Sequence, residues 1–431
     1  MIPLVFPSSE AEQRLEQIKS RRIESGGELE RKVKEILEEV KEKGDEALVS
    51  YTRKFDCPSF TREDITVSDR EIDDARKKVE KEFIDILERA IQNISLFHEN
   101  QKQKSWFKTS DDGTILGQIV RPVESAGLYI PGGKGGETPL ISSVLMNAIP
   151  AKIAGVKHIA MVSPPKKDGS LNPHLLVAAN LVGIDRIYKL GSAWAIGALA
   201  FGTETISQVD VIVGPGNIYV AVAKKLVSGR VGIDMIAGPS EILVIADNHA
   251  SPREIAADLL SQAEHDSMAS SILITTDRAV AEEVSKEVEK QLDLLPRSEI
   301  ARESWENFGG IFIVDTLDKA AALANDLAPE HLEILIESPF DLLAKIKNAG
   351  AIFLGRYSPE AVGDYFAGPN HVLPTSGTAR FASALSVDDF IKKSSLIYYS
   401  SQAFERDASA IIKLAELEGL EAHARSVRVR F

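Results

Sequence analysis

The sequence predicts an α/β protein: two α/β halves on parallel sheets, with a helical N-terminal segment and a helical tail after about Phe381. Three observations lead there. The 431 residues exceed what one hydrophobic core usually supports, so two or more domains are expected. From about Ser125 onward, short apolar runs alternate with helical segments, the pattern of βαβ units and a parallel sheet. Residues 10–105 instead are charged and helix-periodic, with few breakers beyond Gly26-Gly27, Gly44 and Pro58.

Taken in order, residues 28–55 place Val33, Ile36, Leu37, Val40, Ala47 and Leu48 at helical spacing. Residues 72–97 do the same with Val79, Phe83, Ile86, Leu87, Ala90, Ile91 and Ile94. Gly127-Leu128-Tyr129-Ile130 is a short apolar run stopped by Pro131-Gly132-Gly133. Helices are then expected near 138–154, 174–182, 192–201 and 217–227, with strands at 158–162, 186–190 and 209–213. A second run of strands is expected at 241–246, 271–275, 310–314, 332–336 and 351–354. Trp106 and Trp305 read as packing residues, and His98, His158, His174 and His249 have no chemical context.

Charge and cysteine content narrow the function. Fifty Lys and Arg against 64 Asp and Glu give a net charge of −14, which argues against a nucleic-acid surface or an anionic-membrane footprint. The single cysteine, Cys57, cannot form an intrachain disulfide or a cysteine-rich zinc site, so a metal here must use mainly His, carboxylate or amide ligands. MIPLVFPSSEAEQ lacks a basic segment followed by a long apolar one, so no signal peptide is expected. No window approaches the roughly 18 uninterrupted apolar residues of a membrane span. A cytoplasmic protein is expected.

Four segments carry candidate chemistry. In Ser251-Pro252-Arg253-Glu254, serine is an N-cap, proline suits the first helical position and Glu254 completes a capping box. The helix continues through Gln262 and His265, whose spacing of three lets both side chains serve one cation or simply form a polar helix end. In Ala328-Pro329-Glu330-His331-Leu332 the proline turns the chain into a strand. Its carboxylate and imidazole suit a pair of general bases or a solvated strand entrance. Ser358-Pro359-Glu360 opens a short capped helix toward Asp364, and Gly368-Pro369 leads to Asn370-His371, a glycine-flanked loop beyond a strand end where α/β sheets bind ligands. Glu418 and His423 lie in a hydrophilic tail that would ordinarily fray. No G-x-G-x-x-G fingerprint follows a strand; Gly214-Pro215-Gly216-Asn217 is the nearest turn that could meet an anion with its N–H groups.

In order along the chain, five blocks resemble the histidinol dehydrogenase family: Ile233 to Glu241, Asp258 to His265, Ala328 to Glu333, Gly368 to Thr375 and Glu418 to His423. The resemblance spans nearly the whole chain. It implies two incomplete Rossmann-like α/β domains with helical dimerisation segments at both ends. Residues 1–25 would form an N-terminal arm, and 26–125 with 239–380 the zinc and catalytic domain. Residues 126–238 would bind NAD, and 381–431 would be a helical tail swapped to the partner of a homodimer. The resemblance further implies one Zn²⁺ per subunit on Gln262, His265, Asp364 and His423, with His331 and Glu330 catalytic. Ser240, His371 and Glu418 would contact the substrate alongside those zinc ligands and His331, and Tyr129 and Asn217 would contact NAD. The implied reaction oxidises L-histidinol through bound L-histidinal to L-histidine with two NAD, at the end of histidine biosynthesis.

One position departs from the family pattern. Gly191-Ser192-Ala193-Trp194 has tryptophan where many relatives carry a glutamine that contacts NAD, so the indole would stack on the cofactor or leave it held differently. The competing readings are a zinc and NAD dehydrogenase of another small amino alcohol or diol, a zinc hydrolase using Glu330 to activate water, and a silent metal-binding scaffold. Glu418 with His371 favours histidinol over the first. An NAD-dependent absorbance change would separate the second.

Overall fold

Aliphatic runs form the strands and fix where they lie. Ile242 to Ala246 are all buried, as a strand covered on both faces must be. In the computed structural model, residues 1–21, 27–132 and 139–431 are described; Gly26, Gly133 and the start of the helix expected near 138 lie outside them. Among the described residues the strands in chain order are β1 (Leu4–Val5), β2 (Trp106–Thr109), β3 (Ile115–Pro122), β4 (Ser125–Tyr129), β5 (His158–Ser163), β6 (Arg186–Lys189) and β7 (Val211–Val213). Then follow β8 (Gly232–Ile233), β9 (Glu241–Ala246), β10 (Ser270–Thr275), β11 (Gly310–Ile313), β12 (His331–Leu335), β13 (Ala351–Leu354) and β14 (Ile391–Tyr398).

The α/β class holds. One six-stranded sheet runs β1-β11-β10-β9-β12-β13 and one five-stranded sheet runs β6-β5-β4-β7-β8, both with parallel pairings throughout. Both belong to one compact unit, Met1–Gln101 with Glu124–Phe390. Helix Pro252–Ala263 buries Ile255, Leu259 and Ala263 against the first sheet, as its stripe predicts. No helix among the described residues is long and apolar enough to cross a membrane.

Three details accompany the helical ends. Ahead of the first helix, Leu4 and Val5 pair with Phe312 and Ile313 at the edge of the six-stranded sheet. Helix Ser9–Ser20 then buries Ala11, Leu15 and Ile18 in that sheet's core. Helices Gly27–Lys43 and Asp45–Phe55, grouped above with 239–380, instead pack Val33, Leu37, Val40, Ala47 and Leu48 into the core of the five-stranded sheet. An amphipathic stripe needs only an apolar surface, and its period does not say which sheet supplies it.

The tail joins a strand to its helices. A second unit, Lys102–Val123 with Ile391–Phe431, contains an antiparallel sheet β14-β3-β2 in which Ile391 faces Pro122 and Tyr398 faces Ile115. Residues 381–431 therefore start with an extended strand before the helices Ser401–Leu417 and Glu421–Arg428. Trp305 packs at 1% exposure, whereas Trp106 on β2 is 56% exposed and is not a core residue.

Candidate active site

The turn before β12 builds the centre of the site. Helix Leu317–Leu327 ends on Ala328, which adopts a left-handed φ of 48°, and Pro329 keeps the chain extended. Glu330 and His331 therefore enter β12 buried, at 6% and 3% exposure. Their neighbour is the start of β9. The Glu241 N–H donates to Glu330 Oε2 at 2.8 Å, and the Glu330 N–H donates back to Glu241 Oε2 at 3.3 Å. The Arg21 guanidinium pairs with Glu241 and donates to the Met268 carbonyl at 2.6 Å. Removing one partner from a buried pair of this kind costs about 3–5 kcal/mol, so this clamp holds the strand entrances rigid.

His331 has one ring nitrogen committed and one free. Nδ1 lies 2.9 Å from the Glu241 carbonyl oxygen, which can only accept, so Nδ1 carries the proton. Nε2 is buried with no hydrogen-bond partner. It faces Glu360 Oε1 and Asp364 Oδ1, each 3.9 Å away. Burial lowers the imidazole to about 4, so the ring is a neutral proton acceptor at pH 7.

Around it stands a carboxylate group that the sequence reading did not single out. Glu360, on the short helix Glu360–Val362, accepts from Ser261 Oγ at 2.9 Å and donates its N–H to Glu333 Oε1 at 2.7 Å. The Gln262 side-chain amide meets Glu360, with one of its terminal atoms 2.8 and 2.9 Å from the two carboxylate oxygens. Burial pushes Glu330 and Glu333 well above the usual carboxylate range. Asp364 rises to about 8, by burial first and then by Glu360. The signal for Glu360 was present: it precedes Asp364 by four residues, one helical turn.

The structure brings some expected residues together and leaves others apart. Gln262, Asp364 and His331 converge on Glu360, and His265, exposed just past the end of its helix, is near enough for its charge to act on Glu360 and His371. That helix stops at Ala263 with Glu264 as its C-cap, because Asp266 folds the following residues into a turn, accepting from Met268 N–H at 2.8 Å. The expected capping box is also absent. Ser251 makes no side-chain cap, and Glu254 is drawn away to a bidentate pair with Arg356 at 2.6–3.0 Å. Pro359, not Ser358, is the cap residue of Glu360–Val362.

His371 is half-buried, with its Nε2 shielded and unpartnered, and desolvation lowers it to about 4. With Asp364, Phe97, Phe353 and Leu373 it lines a cleft of about 480 Å³, ample for a small ligand. Ser240 lies just before β9, its carbonyl accepting from Ser270 N–H at 3.0 Å. Glu418 caps helix Ser401–Leu417 and His423 lies on Glu421–Arg428, both exposed in the second unit.

Glu330 and His331 stand at a strand entrance, as their turn predicts. Glu330, His331 and Glu241 lie at the amino edge of its strands, with His331 in register with Ile242 and Ala351 at the starts of β9 and β13. The loop carrying Asp364 and His371 returns to that edge and is not confined to the carboxyl end of β13. In the five-stranded sheet, Tyr129 ends β4 and Gly214–Asn217 follows β7, so both lie at the carboxyl edge. Tyr129 is buried and its hydroxyl accepts from Ser192 N–H at 3.0 Å. Asn217 caps helix Ile218–Val227, its Oδ1 accepting from Tyr219 and Val220 N–H at 3.0 and 3.2 Å. Trp194 is 4% exposed and stacks on Tyr51 and Phe55, with centroids 5.6 Å from each. Buried to this degree beside two protein rings, the indole leaves little surface for a cofactor to stack on, which favours the other expectation, a cofactor held differently.

These side chains fit a divalent cation. His331, Glu360 and Asp364 each offer one ligand atom within 4.8 Å of the others, and the raised carboxyls show buried acids short of positive charge. Of the expected ligands, only Asp364 is in that geometric group, with Gln262 beside it.

Residues 19–431 match the histidinol dehydrogenase family. The chain is 56% identical over 428 residues to histidinol dehydrogenase of Desulfotalea psychrophila, covering 99% of both chains. It is 57% identical over 411 residues to that of Bacillus subtilis, covering 95% of both. The crystal structure of histidinol dehydrogenase from Elizabethkingia anophelis superposes with a TM-score of 0.92 at 42% identity, over 100% of this chain and 98% of that one.

Proposed function

This chain belongs to the histidinol dehydrogenase family, and we propose that it oxidises L-histidinol through bound L-histidinal to L-histidine with two NAD, in histidine biosynthesis. The single observation that carries the chemistry is His331: a neutral imidazole with Nδ1–H spent on Glu241 and a buried, unpartnered Nε2 beside Asp364. An alcohol proton is what such a nitrogen can take.

Gln262, His265, Asp364 and the tail's His423 would hold one Zn²⁺ per subunit, oxygen and nitrogen donors that suit it. When bound, zinc would hold and orient the substrate through its imidazole and amine, and NAD would supply the hydride acceptor. In the first oxidation His331 Nε2 takes the hydroxyl proton as the carbon gives up hydride. Glu330, whose basicity burial raises, then removes a proton from water as it adds to the aldehyde. The second oxidation gives the carboxylic acid, so two hydrides and the matching protons leave in all. His371, Ser240 and Glu418 orient the substrate. The burial of Glu330 and His331 keeps bulk water from the aldehyde.

Tyr129 and Asn217 meet NAD, at the carboxyl edge of the five-stranded sheet. Exposed Leu414, Leu417, Leu420 and Phe431 on the tail support a homodimer in which Glu418 and His423 complete the partner's site, in a cytoplasmic enzyme. Deletion from Leu417 onward is then expected to abolish activity and weaken zinc binding, read by NADH formation and metal content. A truncated enzyme with full activity would contradict the shared site.

A further inference from the structure

Beneath the Gly214-Pro215-Gly216-Asn217 turn lies a buried ion pair with no part in the chemistry above. Lys224 and Asp234 are in direct contact, their side chains 2% and 0% exposed. Both also bond to one residue. Lys224 Nζ donates to the Gly214 carbonyl at 2.9 Å, and Asp234 Oδ2 accepts from the Gly214 N–H at 2.8 Å. Gly214 sits at a φ of +111°, and a Cβ there would come within 2.2 Å of the Tyr129 carbonyl oxygen. Only glycine tolerates that backbone, and its conformation fixes how the next three residues leave β7.

Burying a lysine and an aspartate is costly unless their geometry and hydrogen bonds compensate, and apolar residues of similar size are often as stable. Stability alone therefore does not account for this pair. Its arrangement does: the two charges grip both polar groups of Gly214, against Tyr129 on one side and ahead of Asn217 on the other. Asn217 spends its Oδ1 on the helix cap, so only its amide nitrogen is left to turn outward. Asp234 also begins the stretch to Glu241, whose carbonyl holds His331 Nδ1.

We propose that the Lys224–Asp234 pair is a positioning device for the dinucleotide: it sets the Gly214–Asn217 turn in the shape that binds NAD. This rests on the reading that Tyr129 and Asn217 meet NAD. The test is a titration of NADH fluorescence on the zinc-loaded enzyme, with KM values measured beside it. The double variant Lys224→Met with Asp234→Leu replaces the pair by apolar residues and frees Gly214. It is expected to bind NADH roughly tenfold or more weakly, to raise KM for NAD in parallel, and to leave KM for histidinol and zinc content unchanged. Asp234→Asn, which keeps size and an acceptor oxygen, guards against a failure to fold and is expected to weaken NADH by about threefold. Asn217→Ala serves as the reference. Folded pair variants that bind NADH like the parent, while Asn217→Ala binds weakly, would overturn the positioning role alone. Unchanged binding in all three would overturn the assignment of the turn to NAD, and the inference with it.

Discussion

His331→Ala is expected to lower kcat for histidinol oxidation about 10³-fold, with much smaller changes in KM for histidinol and NAD. The ring is held at one nitrogen by a backbone carbonyl 2.9 Å away and presents the other unpartnered, so its removal deletes a proton acceptor while leaving the Glu330–Glu241 clamp intact. Both oxidations release a proton near this nitrogen, so both should slow. Steady-state kinetics on folded protein with unchanged zinc content measures this. A kcat within about threefold of the parent would remove His331 from proton transfer, since general-base losses are typically 10²-fold or more.

The second large effect is a split between the two oxidations. In Glu330→Gln the amide oxygen can still accept from the Glu241 N–H, now 2.8 Å from Glu330 Oε2, so the strand entrance keeps its shape. What is lost is the carboxylate that activates water. The expected result in rapid mixing is a burst of one NADH per site, followed by turnover slowed about 10²- to 10³-fold. A burst lost together with turnover would place Glu330 in the first step as well. Normal turnover would take it out of the mechanism.

Much of this arrangement was legible in sequence, because parallel strands are apolar runs and the helices between them carry a 3.6-residue period. The strands β9 and β13 and the helix Ser192–Phe201 fall where alternation places them. What was not legible depends on distant partners. Strand β14 pairs with β3, whose residues precede it by 269 to 283 positions (391 − 122 and 398 − 115), and Ile391 to Tyr398 is polar enough to pass for tail. Glu254 could complete a capping box by local rules, yet Arg356 claims it from 102 residues away. The strand entrance at Glu330 and His331 was legible from Pro329, but that Glu241 and Glu360 meet them there was not, since neither lies near them in sequence. For Trp194 the sequence left stacking on the cofactor and a cofactor held differently both open, because its burial beside Tyr51 and Phe55 depends on a helix over 130 residues away. Glu360 was overlooked because proline and serine before it drew the reading to capping.

The central claim is a four-electron oxidation of histidinol at one metal-dependent site. The direct measurement is NADH formed per histidine produced, with purified zinc-loaded protein, L-histidinol and NAD. The account predicts two NADH per histidine, activity lost on chelation and regained with zinc. No NADH from a folded, zinc-bound dimer, or one NADH per released aldehyde, would contradict it.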